Sequence, residues 1–253
     1  MKITEGEMLG LIGRNGAGKT TLVKLLTGIL PLKQGEIIID QMQPYQRKKE
    51  FLKSIGVLLG QKSQLIWDLP ARDAYDMLAT IYEIPTQIYR ARLLWLSEKL
   101  EVTVLLDIPV RKLSLGQRVK CELIAALLHQ PKYLFLDEPT LGLDFVTQKT
   151  IYQILRLENQ TNQTTIITTS YYIKDIEQLA DRVVILNKGK IIFNDQLEHL
   201  PHEATTQVLF DVNFLNAKSI EEKLTCTPKK LNEVLAKLPP EKILRVSQRG
   251  MEL

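Results

Sequence analysis

Cysteine and histidine are scarce in this chain, with two of the first and three of the second among 253 residues. Cys121 and Cys226 lie far apart, without metal-ligand spacing, which suits a reducing compartment and predicts two buried small hydrophobes. Long apolar runs are also missing, so no membrane-spanning helix is predicted and any membrane role requires a partner. The opening MKITEGEMLGLIG lacks the apolar stretch and small-residue cleavage site of a secretory leader, and export is not expected. No charge sign dominates. The net charge is +4, and the densest basic run, QRKKEFLK, reads as a solvated helix face, so no nucleic-acid partner is expected. Internal repeats and low-complexity segments are absent. What remains, 45% hydrophobic and 25% charged, is an ordinary globular composition, long enough for one large two-lobed domain or a domain with an appendage.

Apolar β-prone runs alternate with helical patterns. MLGLIG, EIIID, IGVLL, KYLFLDE, TTIITT and RVVILN read as strands, and 19–28, 71–82, 87–101, 116–129, 145–158 and 173–180 as helices. The alternation predicts an α/β fold with a mainly parallel sheet covered by helices. From about residue 62 the chain is helix-rich, with only the short VTVLL as a strand, which predicts a helical subdomain over about 62–128 inserted in a domain of residues 1–200. Residues 204–253 read as a small α+β tail: a strand at TQVLFDV, a helix around KKLNEVLAKL and a strand at KILRVS.

Between the strand MLGLIG and the helical KTTLVKLLTG lies a glycine-rich turn whose Gly13, Gly18, Lys19 and Thr20 fit the spacing G-x-x-x-x-G-K-T, a P-loop. Glycine permits the backbone angles that turn successive N–H groups inward, at the positive end of a helix, toward a polyphosphate. The candidate phosphate-binding set is Gly13, Asn15, Gly16, Ala17, Gly18, Lys19, Thr20 and Thr21, with Lys19 on the terminal phosphates and Thr20 on Mg²⁺. YLFLDEPT supplies the acidic partners at the carboxyl edge of the sheet, Asp137 for Mg²⁺ and Glu138 for the attacking water.

Upstream of that strand, LSLGQRVKCELIAALLHQP resembles the signature motif of ABC-type ATPases, usually LSGGQ, with its helix. P-loop, signature, DE strand and LGLD follow the family's order over about residues 5–195. The resemblance implies a P-loop NTPase that hydrolyses ATP in a head-to-tail dimer and drives a separate membrane permease from the cytoplasmic face of the plasma membrane. In that dimer Ser114, Gly116 and Gln117 would face the ATP held by the partner copy's P-loop. Gln61 would sense Mg²⁺ and the water, Asp144 would meet the opposite P-loop, and SQLIWDLPARDAY, with Trp67 and Leu69, is either permease-facing or core.

Two departures accompany the resemblance. Tyr171 stands where the family has a histidine against the γ-phosphate; tyrosine donates one hydrogen bond but does not become cationic near neutral pH. Losing such a preorganised donor lowers turnover about 10²- to 10³-fold. Relatives also carry N-terminal strands with an adenine-stacking aromatic, whereas twelve residues precede Gly13 here. Absence of that platform is expected to cost about 1–3 kcal/mol of affinity and to leave EIIID as an unpaired edge. A nucleotide-responsive module with impaired catalysis, or a fragment, therefore stays open beside a working ATPase.

Overall fold

The apolar runs form one six-stranded sheet. Its strands are β1 (Met8–Ile12), β2 (Ile55–Leu59), β3 (Tyr133–Asp137), β4 (Thr165–Ser170), β5 (Arg182–Asn187) and β6 (Lys190–Gln196), in the order β2-β3-β4-β1-β5-β6. All neighbours pair in parallel except β5 and β6. The register decides where function can sit. Ile12 lies beside Ser170, Thr169 beside Asp137, and Asp137 beside Leu59, so the residues following β1, β2, β3 and β4 all leave the sheet at one carboxyl edge.

This computed structural model describes residues 1–60, 63–200, 209–215, 221–226, 234–235, 238–239 and 242–249. They divide into two compact units, Met1–Leu197 and Glu198–Leu253.

Strand alternation splits the core of the first unit in two. Leu9, Leu11, Phe135, Ile167 and Val184 point to one face, where they meet Val23 and Leu26 of α1 (Lys19–Leu26) and Phe51 of α2 (Lys49–Ser54). Met8, Leu134, Leu136 and Ile166 point to the other, under α3 (Ala71–Ile81), α4 (Thr86–Lys99), α5 (Leu115–Leu127) and α6 (Phe145–Asn162). Burial of both faces explains why these strands read as continuous apolar runs. Each fully buried Leu or Phe contributes about 1.5–3 kcal/mol. The short α7 (Ile173–Glu177) connects β4 to β5. Among the described residues no helix is long and apolar enough to cross a membrane.

Two expectations need correction. EIIID is not a strand: Ile37 and Ile39 are partly buried against the core, but among the described residues the only ladder contact is the bridge from Ile39 to Met42. Asp40 and Gln41 both have positive φ, 48° and 61°, so the run ends in a two-residue hairpin turn with no flanking strand among the described residues to extend it. VTVLL is a 3-10 turn at Thr103–Leu105, where Val102 and Leu106 are buried and Val104 is exposed, a spacing that alternation does not produce. QRKKEFLK leads into α2, and its charged residues Arg47, Lys48, Lys49 and Glu50 are exposed as expected of a solvated face, while Phe51 anchors the helix in the core.

In the second unit, β7 (Leu209–Leu215), β8 (Glu221–Cys226) and β9 (Ile243–Arg249) form an antiparallel sheet in the order β8-β7-β9. β8 was not expected. The helix expected around 229–238 lies largely outside the described residues.

His129, beyond the end of α5, stacks on Tyr82 with ring centres 3.8 Å apart and bonds the Ile55 carbonyl at 2.9 Å. A carbonyl only accepts, so Nε2 carries the proton and the buried Nδ1 has no partner among the described residues. Burial lowers its pKa from 6.5 to about 4. The unfolded chain therefore takes up this proton first as pH falls, and stability present above pH 6.5 drains away toward pH 4. Urea unfolding is expected to lose about 2 kcal/mol between neutral pH and about pH 5 through this group, and His129→Gln should flatten that slope.

Candidate functional site

β1 ends at Ile12 and α1 begins at Lys19, so the six residues between them form the turn that the motif predicts. Two glycines act in different ways. Gly18, the helix N-cap, has φ 106°, a conformation that L side chains rarely adopt. Gly13 is needed for space, since a Cβ there would lie 2.5 Å from the Leu186 carbonyl oxygen and 2.9 Å from the Ala17 Cβ. Ala17 is buried, its N–H bonded to the Arg14 carbonyl and its carbonyl accepting from the Gly189 N–H. The first-turn amides of α1, including those of Thr20 and Thr21, have no intrahelical acceptor, and with the helix dipole they make an anion site. Lys19 is buried beside it, with Nζ 2.7 Å from the Gly13 carbonyl oxygen and 3.4 Å from the Glu138 carboxylate. Asn15 and Gly16, in the same loop, are exposed.

Asp137, last residue of β3, is buried and fully engaged. The Thr20 hydroxyl donates to one of its oxygens at 2.8 Å and the Thr169 hydroxyl to the other at 2.7 Å. Next to it Glu138 takes φ 52°, the left-handed region, while its N–H bonds the Thr169 hydroxyl oxygen at 3.0 Å. A strained backbone at this residue costs on the order of 1–2 kcal/mol and aims the carboxylate at Lys19 rather than along the strand. The donor set of Thr20 and Asp137 is all oxygen and fits Mg²⁺. Among the described residues no cluster of three or more His, Cys, Asp or Glu could hold a metal ion, and Mg²⁺ sites in general use one or two protein oxygens with phosphates and water.

Ser114 caps α5. It accepts from the Gln117 N–H at 3.3 Å, and the Gln117 side chain returns to the Ser114 N–H at 2.9 Å, a complete capping box. The box leaves the Ser114 hydroxyl proton free to donate at an exposed helix start. Gly116 packs against Thr147, to which a Cβ would approach within 3.2 Å. Asp144 caps α6, taking the Thr147 N–H at 2.9 Å and its hydroxyl at 2.7 Å, and these bonds lower its pKa. Tyr171, directly after β4, meets Tyr172 edge to face with ring centres 5.1 Å apart. Gln61 lies outside the described residues.

Thr20, Asp137, Glu138 and Lys19 thus come together, and the register brings Tyr171 to the same edge. A cavity of about 640 Å³ separates Thr20, Asp137 and Glu138 from Leu115, Arg118 and Glu122 on α5. Thr169 is a site residue that sequence reasoning missed; a hydroxyl at the end of an apolar strand is its only signal. Glu122 was missed too. Its buried carboxylate accepts from the Ser63 hydroxyl and from the Gln64 N–H, the latter at 2.9 Å, fixing the segment after Gln61 to α5. A carboxylate within the apolar run CELIAALL was the available clue.

A parallel sheet whose P-loop lysine and Thr20–Asp137 pair share one edge defines a P-loop nucleoside triphosphatase. Comparison with known proteins narrows the class. Residues 1–141 match the family described as ABC transporter. The chain is 29% identical to the ABC transporter ATP-binding protein NatA of Bacillus subtilis over 215 residues, covering 85% of this chain and 86% of that protein. It is 30% identical to the bacitracin transport ATP-binding protein BcrA of Bacillus licheniformis, covering 79% of this chain but only 64% of that longer protein. Among solved structures, the cassette MJ0796 in a dimeric, post-hydrolysis state bound to ADP and Pi superposes with a TM-score of 0.69 at 25% identity, covering 78% of this chain and 88% of that one. The chain belongs to the ABC transporter family, as an ATP-binding subunit of the kind that hydrolyses ATP.

Loss of the Lys19 ammonium removes a charge-assisted bond worth about 1.5–3 kcal/mol, so Lys19→Ala should weaken ATP binding roughly 10- to 150-fold in titration calorimetry. Gly13→Ala should destabilise the fold by about 1–3 kcal/mol through the clash with Leu186, read in urea.

Proposed function

We propose that this chain is a Mg²⁺-dependent ATPase that acts as a homodimer beneath a membrane permease, on the cytoplasmic face of the plasma membrane. Residues 1–200 form the ATPase domain, with about 62–128 as its helical lobe, and 204–253 form an appendage. The carrying observation is the Lys19 ammonium held between the Gly13 carbonyl and Glu138, beside Thr20 and Asp137.

The loop amides and Lys19 bind the triphosphate tail of ATP. Thr20 and Asp137, with Gln61, hold Mg²⁺, which when bound supplies neutralisation of phosphate charge. Glu138 orients the attacking water and accepts its proton, and Tyr171 donates one hydrogen bond toward the terminal phosphate. Ser114, Gly116 and Gln117 of a second copy close the site, with Asp144 nearby. An apolar collar supports that closure: Leu115, Leu141, Phe145 and Val146 are 45% to 68% exposed around the two helix caps.

The permease surface lies on the helical lobe. Ile66, Trp67 and Leu69 are exposed rather than buried, which favours the interface reading of SQLIWDLPARDAY over the core reading. A separate groove of about 570 Å³ is lined by Ile29, Arg47, Leu52, Val57, Ile81 and Tyr82. Impaired catalysis is the second reading, favoured by Tyr171 alone.

Glu138→Gln is expected to lower Mg²⁺-dependent phosphate release at least 10²-fold while ATP binding persists. Tyr171→His should raise release about tenfold or more by restoring a donor able to carry charge. Equal release from Glu138→Gln and the parent chain would remove the ATPase reading.

A further inference from the structure

Segment 63–67, which follows Gln61 in sequence, is seated on one face of α5 at two points. Glu122 accepts the Ser63 hydroxyl on one carboxylate oxygen and the Gln64 N–H on the other, the latter at 2.9 Å. Four residues earlier, and so on the same helical face, the Arg118 guanidinium lies over the Trp67 ring, 5.3 Å from its centre. The Gln64 side chain donates in turn to the Val57 carbonyl of β2. The segment is thereby strung between β2 and α5.

Proton counting shows what the carboxylate does. Ser63 has one hydroxyl proton and two acceptors in reach, Glu122 and the Leu65 carbonyl at 2.9 Å, and the ionised acceptor makes the stronger bond. The Ser63 oxygen then accepts the Leu65 N–H at 3.1 Å, a local turn that delivers Leu65 into the core. Glu122 itself is buried within the apolar run CELIAALL. Burying a carboxylate is costly, so an apolar side chain would serve stability better at this position. What Glu122 adds is one fixed place for two loop donors.

The seat faces the phosphate site. Ser63, Trp67, Arg118 and Glu122 line the same cavity as Thr20 and Asp137. Gln61 lies two residues before Ser63, and α5 begins directly after Ser114. We propose that Glu122 is a positioning residue that places the segment leading from Gln61 against α5, with Arg118 as a second hold through Trp67. The Mg²⁺-directed glutamine of one site and the cap directed at the other copy's ATP then share one rigid helix. This inference rests on the ATPase reading, to which the roles of Gln61 and Ser114 belong.

Glu122→Gln keeps the shape and removes the charge. In the full chain it is expected to lower kcat for ATP about tenfold, the size of one charge-assisted hydrogen bond. The Mg²⁺ concentration giving half-maximal phosphate release should rise about threefold or more, while ATP affinity measured without Mg²⁺ stays within about twofold. Ser63→Ala, at an exposed loop position, should shift the Mg²⁺ requirement the same way, and the two changes together should be less than additive. Tyr75→Phe removes a buried hydroxyl bonded to the Cys121 carbonyl, next to Glu122 on α5, and as the control should leave both quantities unchanged. Equal effects of Glu122→Gln and Tyr75→Phe, an unchanged Mg²⁺ requirement, or full additivity with Ser63→Ala would overturn the proposal.

Amide hydrogen exchange tests the seat without relying on turnover. Glu122→Gln and Ser63→Ala should each speed exchange at Gln64 and Leu65, and unchanged exchange there refutes the seat. A parent chain that releases no phosphate, but whose variants show the faster exchange, would sink the ATPase reading and leave the positioning of the loop standing.

Discussion

Everything at the carboxyl edge is organised by one buried carboxylate. Asp137 receives a hydroxyl from Thr20, on the helix that follows the phosphate loop, and another from Thr169, on the neighbouring strand. Burying a carboxylate without partners is very costly. Two hydroxyl donors meet that cost and pin three segments of the chain to one point. The same Thr169 oxygen accepts the Glu138 amide, so the arrangement reaches the residue assigned to the water as well.

Unusual backbone conformations occur at the phosphate loop and at the residue assigned to the water. Gly16 and Gly18 have positive φ, and Glu138 adopts φ 52° although it has a full side chain. Such conformations persist only when surrounding packing over-determines them. Here the sheet does so: β1, β3 and β4 are buried on both faces and paired on both edges, leaving their terminal residues little freedom.

Polar contacts add to the apolar packing that holds the helical lobe. Arg92 of α4 and Glu158 of α6 form a buried ion pair at 2.6 Å, yet Arg92 Nε and Glu158 Oε1 have no partner among the described residues. A half-satisfied buried pair specifies one docking geometry without adding much stability. Glu122, gripping Ser63 and Gln64, supplies a second attachment next to the site. Both attachments are polar and directional, and they act alongside the apolar packing of α3, α4 and α5 on the sheet.

Sequence determined the elements whose signal is local. Apolar runs bounded by turns gave β1 to β5 of the main sheet, with EIIID mistaken for a strand and the edge strand β6 missed, and the spacing from Gly13 to Thr20 gave the phosphate loop, because backbone angles at a strand-to-helix turn restrict residue type there. Cap chemistry at Ser114 and Gln117 was similarly written in neighbouring letters. Tertiary structure alone decided what depended on distant pairing. EIIID has β-prone residues but no neighbouring strand to bond among the described residues, and VTVLL follows a helical spacing imposed by packing. Thr169 reaches Asp137 across a strand register spanning 32 residues, and Glu122 reaches Ser63 across 59. No local propensity encodes such contacts, since they exist only once the sheet order has brought the strand ends side by side.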